Sequence, residues 1–599
     1  MKIPTKIISV FLVLFFIGSN LYGQSNSTFS DMDSIMQRVL TDWDAAGCAV
    51  AVVKGDEVVY TRGFGYRDME NKLPVTEKTI FQIGSSTKAF TCALLGILKE
   101  SDDLNFDDPI SKHLPEVRFF EKDMADRLTI RDFTCHRSGL PRHDFSWYLN
   151  PCSRDSLVLR MEYLEPSADL RSVFQYNNWG FLLQGVIAEK ITKKSWEDNI
   201  REQFFAPLEM RTANFALWEM DKNADKAKGY FAYKDSIHFM EYYKIEGMGP
   251  AGSICASASE MGNWLIAWLN DGKFKDKEVM SPSYIREAIS SQMVNSGMPP
   301  GSVRPDLHFN NYGMGWFLSS YKGHYRVEHG GNINGFSANV CFFPTDDIGV
   351  VVLTNQDGSR VPAIVRNTIV DKMLELEPYD WHTDLYDAHK KQQELDVPKD
   401  SSGVIEGTRP SHPINDYTGV FSHPGYGDYR FELHKDSLFL ITKEMNFWLR
   451  HKHYDVFKPT SIVPGIEADD DGQMAASFYT NLEGEINSVE IFGMEPSLGP
   501  LKFTRKVEAK PVDRAVLEGY TGTYSLMGTE IKISLRDDDM LMVFVPGQPE
   551  YETVSLGNHK FNLAGLEGYS IKFDRKDNEP ATAVSFIQPN GTFKAMRKE

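Results

Sequence analysis

Residues 81–100 read FQIGSSTKAFTCALLGILKE. Ala89, Phe90, Ala93, Leu94, Ile97 and Leu98 recur at three- and four-residue steps, so a helix with an apolar face is expected over 85–100. Ser85 stands at its N-terminus, and Lys88, three residues on, shares its face one turn away. A serine hydroxyl is a poor nucleophile until a neighbouring base takes its proton. A lysine can do so where burial and nearby cations lower its pKa. The helix N-terminus adds free N–H groups and positive potential for a developing oxyanion. Alone, the spacing is better read as an N-cap serine and a solvated first-turn lysine. Ser319-Ser-Tyr-Lys322 has the same spacing and reads as a turn.

Outward from this helix, residues 47–65 (GCAVAVVKGDEVVYTRGFG) read as a hairpin with a Lys-Gly-Asp turn. Residues 336–355 (FSANVCFFPTDDIGVVVLTN) read as a second hairpin, turning at Pro-Thr-Asp-Asp. Amphipathic helices are expected over 181–191 and 258–270. Strands early and late, with helices between, predict one α+β domain whose antiparallel sheet joins both ends. Residues 396–413 hold three Pro, two Gly and three Ser and read as a linker. Beyond it the pattern is strand, and it repeats. Asp-Tyr-Thr-Gly-Val-Phe (416–421) matches Gly-Tyr-Thr-Gly-Thr-Tyr (519–524), and each unit ends in a basic strand, LKFTRK (501–506) or TFKAMRK (592–598). Two all-β units are expected, as two barrels or as halves of one structure.

The chain's 599 residues are enough for about three or four domains. Its net charge of −19, with no Lys/Arg cluster, argues against nucleic-acid partners. Lys2 and Lys6, the apolar run Ile7–Ile17 and small or polar residues up to Gly23 have the layout of a signal peptide. That run is too short for a span of ~20 residues, so a periplasmic or secreted protein with no stable membrane span after cleavage is expected. Six cysteines show no framework, and there is no CxxC or HExxH. His451-Lys-His453 has no third ligand nearby, so no metal is expected.

Two more elements narrow the chemistry. Tyr176-Asn-Asn178 directly precedes the helix expected over 181–191, and His329-Gly-Gly331-Asn332 precedes the second hairpin. Each is weak singly: Tyr-x-Asn recurs at Tyr148 and Tyr479, and His423-Pro-Gly425 repeats His-x-Gly. In order and context, Ser85-x-x-Lys88, Tyr176-x-Asn178 and His329-x-Gly331 resemble the three active-site motifs of the serine β-lactamase and penicillin-binding protein superfamily. The likeness is to its class C-like branch of D-alanyl-D-alanine carboxypeptidases, D-aminopeptidases and esterases. Cys135-His-Arg-Ser-Gly-Leu-Pro141, Pro250-Ala-Gly-Ser253 and Tyr312-Gly-Met-Gly-Trp316 share the likeness. Tyr417-Thr-Gly419, His423-Pro-Gly-Tyr-Gly427 and His453-Tyr-Asp-Val-Phe457 resemble the lipocalin-like C-terminal domains attached to some of these hydrolases.

The resemblance implies a β-lactamase/transpeptidase-like domain of antiparallel sheet and flanking helices, followed by lipocalin-like β-units. It implies Ser85 as acylated nucleophile, Lys88 as its base and Tyr176 as partner base and proton donor. Asn178 would contact the substrate amide. The N–H groups of Ser85 and Asn332 would form the oxyanion hole, and His329 and Gly331 would line the opposite edge of the cleft. No metal or organic cofactor is implied. Where familiar β-lactamases carry Lys-Thr-Gly this chain has His329-Gly330-Gly331, which removes a charge and a hydroxyl that hold a substrate carboxylate. Small esters, β-lactams or short D-amino-acid peptides are the implied substrates, with β-lactam hydrolysis disfavoured. A D-amino-acid-specific peptidase acting on peptidoglycan-type peptides and a penicillin or cell-wall-fragment binder with little turnover are the alternatives. The expected division is a signal peptide over 1–23, a catalytic domain over 24–395, a linker over 396–412, and β-units over 413–507 and 513–599.

Overall fold

The structure, a computed structural model, describes residues 28–598 apart from 216, 244, 298, 302–305, 396–402, 463–473, 483, 507–508, 567 and 577–578. The expected signal peptide and the first part of the linker lie outside the described residues.

The strand Gly47–Lys54 decides the architecture. It is apolar almost throughout, and a strand buried on both faces needs such a run. Cys48, Val50 and Val52 point into one core with Met36, Val39, Val361 and Ile364. Ala49, Ala51 and Val53 point into the other with Leu265, Phe90 and Trp264. Helices Met32–Asp42 and Val361–Met373 cover the first face, and Ala258–Leu269 covers the second. This strand pairs antiparallel with Ile348–Thr354, Cys48 opposite Thr354 and Lys54 opposite Ile348. The early and late hairpins thereby meet inside one nine-stranded sheet, the α+β arrangement expected.

The expected helices are present as Lys88–Glu100, Trp179–Thr192 and Ala258–Leu269. The last begins at a capping box in which Ser257 accepts from the Glu260 N–H and Glu260 reaches back. The first is preceded by a tighter 3-10 turn, Gly84–Thr87, which carries Ser85. All six cysteines are free. No helix among the described residues is long and apolar enough to cross a membrane.

The two β-units are separate closed eight-stranded barrels, from Gly419–His423 to Leu501–Arg505 and from Gly522–Leu526 to Gly591–Arg597. The repeated residues do the same work in each. Tyr417 and Tyr520 are buried plugs. Gly419 and Gly522 hold positive φ (125° and 146°), which a side chain would oppose. The basic last strands close the barrels: Arg505 lies opposite Phe421 and Arg597 opposite Tyr524. Their guanidinium groups donate to the Asp416 carbonyl and, at 2.6 Å, to the Thr521 carbonyl. The barrels differ in their surroundings. Tyr426, Phe431 and Phe503 of the first belong to one continuous core with Trp147 and Leu149 of the α+β domain. The second has a core of its own.

Candidate active site

Two glycines let the Ser85 turn and the strand His324–Ile333 touch backbone to backbone. A Cβ on Gly331 would sit 1.8 Å from the Ile83 carbonyl oxygen, and one on Gly84 would sit 2.9 Å from the Asn332 nitrogen. Gly84 also holds φ +50°. The Ser86 hydroxyl pins the approach by donating to the His329 carbonyl at 3.0 Å.

Lys88 is fully buried. Its Nζ lies 3.0 Å from Ser85 Oγ, 2.7 Å from Asn178 Oδ1 and 2.9 Å from the Ala251 carbonyl oxygen. The two carbonyl oxygens can only accept. A neutral amine satisfies them with its two N–H groups and turns its lone pair to the Ser85 hydroxyl. Burial, aided by the Arg142 charge, holds the Lys88 pKa well below its ordinary value. Tyr176 is shifted the other way: burial pushes its phenol up, against a hydrogen bond with Ser85. Ser85 therefore sits between a group disposed to lose its proton and a group disposed to keep one, the pattern that separates base from acid.

Asn177 starts the helix Trp179–Thr192, its Oδ1 accepting from the Gly180 N–H at 2.9 Å, and so aims its neighbours Tyr176 and Asn178 at Lys88. Asn178 Nδ2 donates to Asp144 Oδ1 at 2.9 Å. This fixes the amide so that its oxygen faces Lys88. Arg142 pairs with Asp144 at 2.6 Å and lies 5.1 Å from the Tyr176 ring centroid. Neither Arg142 nor Asp144 was singled out from sequence. The one available signal was two alternating charges in Arg-His-Asp directly after the Cys135–Pro141 stretch.

Ser85, Asn178 and Asn332 line one cleft of about 370 Å³ with Trp147, Tyr148 and Tyr243, the last two stacked at 4.5 Å. Gly331 is placed as a point of close approach. His329 differs from expectation: it does not border the cleft. Its ring is 1% exposed, donating from Nδ1 to the Gly330 carbonyl at 2.6 Å and accepting at Nε2 from Tyr312 at 2.9 Å. The strand turns this side chain inward, beneath Phe317 and Tyr312. Burial, with Lys88 nearby, lowers its pKa to about 3, so the ring is neutral. Among the described residues, no group of three or more His, Cys, Asp or Glu is placed to hold a metal ion.

Comparison with known proteins agrees with this architecture. Protein flp of Staphylococcus aureus (strain MW2) is 24% identical over 365 residues, covering 57% of this chain and 66% of that protein. Unguisins hydrolase ungD' of Aspergillus campestris (strain IBT 28561) is 26% identical over 505 residues, covering 80% of this chain and 92% of that protein. An octameric penicillin-binding protein homologue from Pyrococcus abyssi shares the fold with a TM-score of 0.51 at 22% identity, covering 79% of this chain and 99% of that one. The first barrel matches a domain of unknown function, DUF3471, over residues 404–505. The Beta-lactamase family model matches residues 32–374, more than half of the chain, and with the sheet, helices and barrels described above this shows that the chain belongs to the Beta-lactamase family of serine hydrolases.

Proposed function

We propose that this protein is an exported serine hydrolase that cleaves an ester or amide through a Ser85 acyl-enzyme. The observation that carries this reading is the Lys88 amine, buried between two carbonyl acceptors with the Ser85 hydroxyl as its third neighbour. In acylation, Ser85 Oγ attacks the substrate carbonyl carbon and its proton passes to the Lys88 lone pair. The oxyanion is taken by the backbone N–H groups of Ser85 and Asn332. As the intermediate collapses, Tyr176 gives its proton to the leaving alcohol or amine. Lys88, whose Nζ lies 4.9 Å from the Tyr176 ring centroid, then returns the proton it took to the Tyr176 phenolate. A water, deprotonated by the same pair, attacks the ester and releases the acid with Ser85 restored. Asn178 holds Lys88 and keeps one N–H for the substrate.

His329 is neutral and buried, so its strand offers no cation to a β-lactam carboxylate, and Arg142, which does line the cleft, is paired with Asp144; this favours esters and amides. The aromatic wall suits a small acyl group with an apolar side chain. The name of the Aspergillus campestris relative, a hydrolase, favours turnover over a binder that acylates and stalls. Export rests on residues 1–23, and we assign the reacting groups to residues 24–395, with the β-units at 413–507 and 513–599 following them. The test is intact-mass spectrometry with a serine-reactive phosphonate, a chromogenic ester and a fluorescent penicillin. One phosphonate adduct per chain, absent in Ser85→Ala, with rapid ester turnover, is expected. Near-normal labelling of Ser85→Ala sinks the assignment, and a long-lived adduct without product supports the binder.

A further inference from the structure

The motif His423-Pro-Gly-Tyr-Gly427 has no place in the chemistry above, yet it touches the segment that carries Arg142 and Asp144. It forms the turn between the first two strands of the first barrel. Tyr426 is 1% exposed, and its hydroxyl lies 2.7 Å from His143 Nδ1. His143 Nε2 lies 2.9 Å from the Glu165 carbonyl oxygen. A carbonyl only accepts, so Nε2 carries the ring proton and Nδ1 accepts from Tyr426. The His143 backbone N–H donates to Glu495 Oε2, also of the barrel, at 2.8 Å.

His143 needs such holding. Its φ is +47°, a conformation that persists in a non-glycine residue where its surroundings over-determine it. Further bonds join the same surfaces: Asn150 Nδ2 donates to the Tyr426 carbonyl at 2.9 Å, and Ser146 Oγ donates to the Gly425 carbonyl. The glycines of the turn allow this contact. A Cβ on Gly425 would lie 3.0 Å from Tyr163 Cβ, and Gly427 has φ +80°.

We propose that the first barrel is part of the active site's support: Tyr426 and Glu495 fix His143, a positioning residue that sets Arg142 against Tyr176 and Asp144 against Asn178. The chain of contacts is continuous from Tyr426 to His143, to its neighbour Asp144, to Asn178 and to Lys88. The inference rests on the reading of Ser85 and Lys88 given above.

The test uses full-length variants. Tyr426→Phe leaves His143 Nδ1 without a donor, and Glu495→Ala leaves the His143 N–H without an acceptor. Each is expected to lower phosphonate acylation and ester kcat about tenfold, with KM within about twofold, because a buried polar group loses its partner. Hydrogen–deuterium exchange of amides 140–150 should rise in both. Glu495→Gln retains an acceptor oxygen and should restore most of the rate. Tyr520→Phe removes the like bond of the second barrel, Tyr520 hydroxyl to His559 Nδ1 at 2.6 Å, and should change neither rate nor exchange at 140–150. Faster exchange at 140–150 with unchanged acylation would reduce the contact to an anchor and overturn the proposal. So would equal losses in Tyr520→Phe. Ser85→Ala, run alongside, separates the two failures. Labelling retained there refutes the nucleophile. Labelling lost there but normal in Tyr426→Phe and Glu495→Ala refutes the positioning role.

Discussion

The two barrels are built alike and placed differently. Each has eight strands, a buried tyrosine at its entrance, a positive-φ glycine two residues later, and an arginine on its last strand that closes the ring. The first merges its apolar interior with that of the α+β domain and spends Tyr426 and Glu495 on that domain's backbone and His143. The second keeps its interior to itself, and among the described residues no hydrogen bond or ion pair links it to the α+β domain. The difference shows that a repeated unit's role follows from its outer turns. The residues that make the barrels alike face inward, whereas His423–Gly427 is the part that faces a partner.

Truncation is the bluntest way to break this comparison. A chain ending at residue 512 is expected to acylate within about twofold of the full chain. A chain ending at residue 403 loses the partners of His143 and uncovers Trp147, and should lose at least about a hundredfold, the scale set by misplacing catalytic groups by about an ångström. Labelling rate and circular dichroism check both. Equal activity of the two would return the first barrel to the status of a passive appendage. Lys88→Ala should cost about 10²–10⁴-fold in acylation in the full chain and in the chain ending at 512 alike. An unchanged rate would remove Lys88 from the chemistry.

A finer test concerns Arg142, which the first barrel holds through its neighbour His143. Burial is the main cause of the low Lys88 pKa, and the Arg142 cation adds to it. Arg142→Gln removes a charge that opposes protonation of Lys88, so the Lys88 pKa rises. The acid limb of kcat/KM, which requires the neutral amine, should then move to higher pH. Arg142 also lowers the Tyr176 pKa, so an alkaline limb due to that phenol should move up as well. A profile that stays in place would mean that Arg142 is screened from both groups.

The legible part of this molecule was the part encoded locally. Helical periodicity placed Ser85 and Lys88 one turn apart, and alternation gave both hairpins. The Tyr-Thr-Gly repeat announced two like units. Arg142 and Asp144 escaped because nothing in their own neighbourhood of sequence shows that Asn178 lies opposite. That meeting is made by Asn177, whose Nδ2 donates to the Pro141 carbonyl at 2.5 Å. His329 was expected at the cleft edge because the family resemblance implies that place for its motif. Strand alternation instead sends its side chain inward and leaves its carbonyl to Ser86. Whether the β-units were one ring or two depended on first-to-last strand pairings, which no local pattern reveals.

The smallest expected effect sharpens the comparison from its other side. Tyr520→Phe should cost the second barrel about 0.5–1.5 kcal/mol, the net worth of one intramolecular hydrogen bond, seen in its own unfolding transition and absent from ester turnover. A change in turnover would show that the second barrel also communicates with the cleft.

The pairing of Gly47–Lys54 with Ile348–Thr354 has a consequence for the order of events during synthesis. This interior ladder of the sheet joins residues about 300 positions apart in sequence, so closing it carries the entropy of a very long loop. It cannot form until the chain has grown past Thr354. Residues 140–150 must wait longer still, since His423–Gly427 and Glu495 come last to the contact that holds them. With the positioning role proposed for the first barrel, a nascent chain carries its serine and lysine long before they can act together at full rate, and full competence arrives only when that barrel has closed.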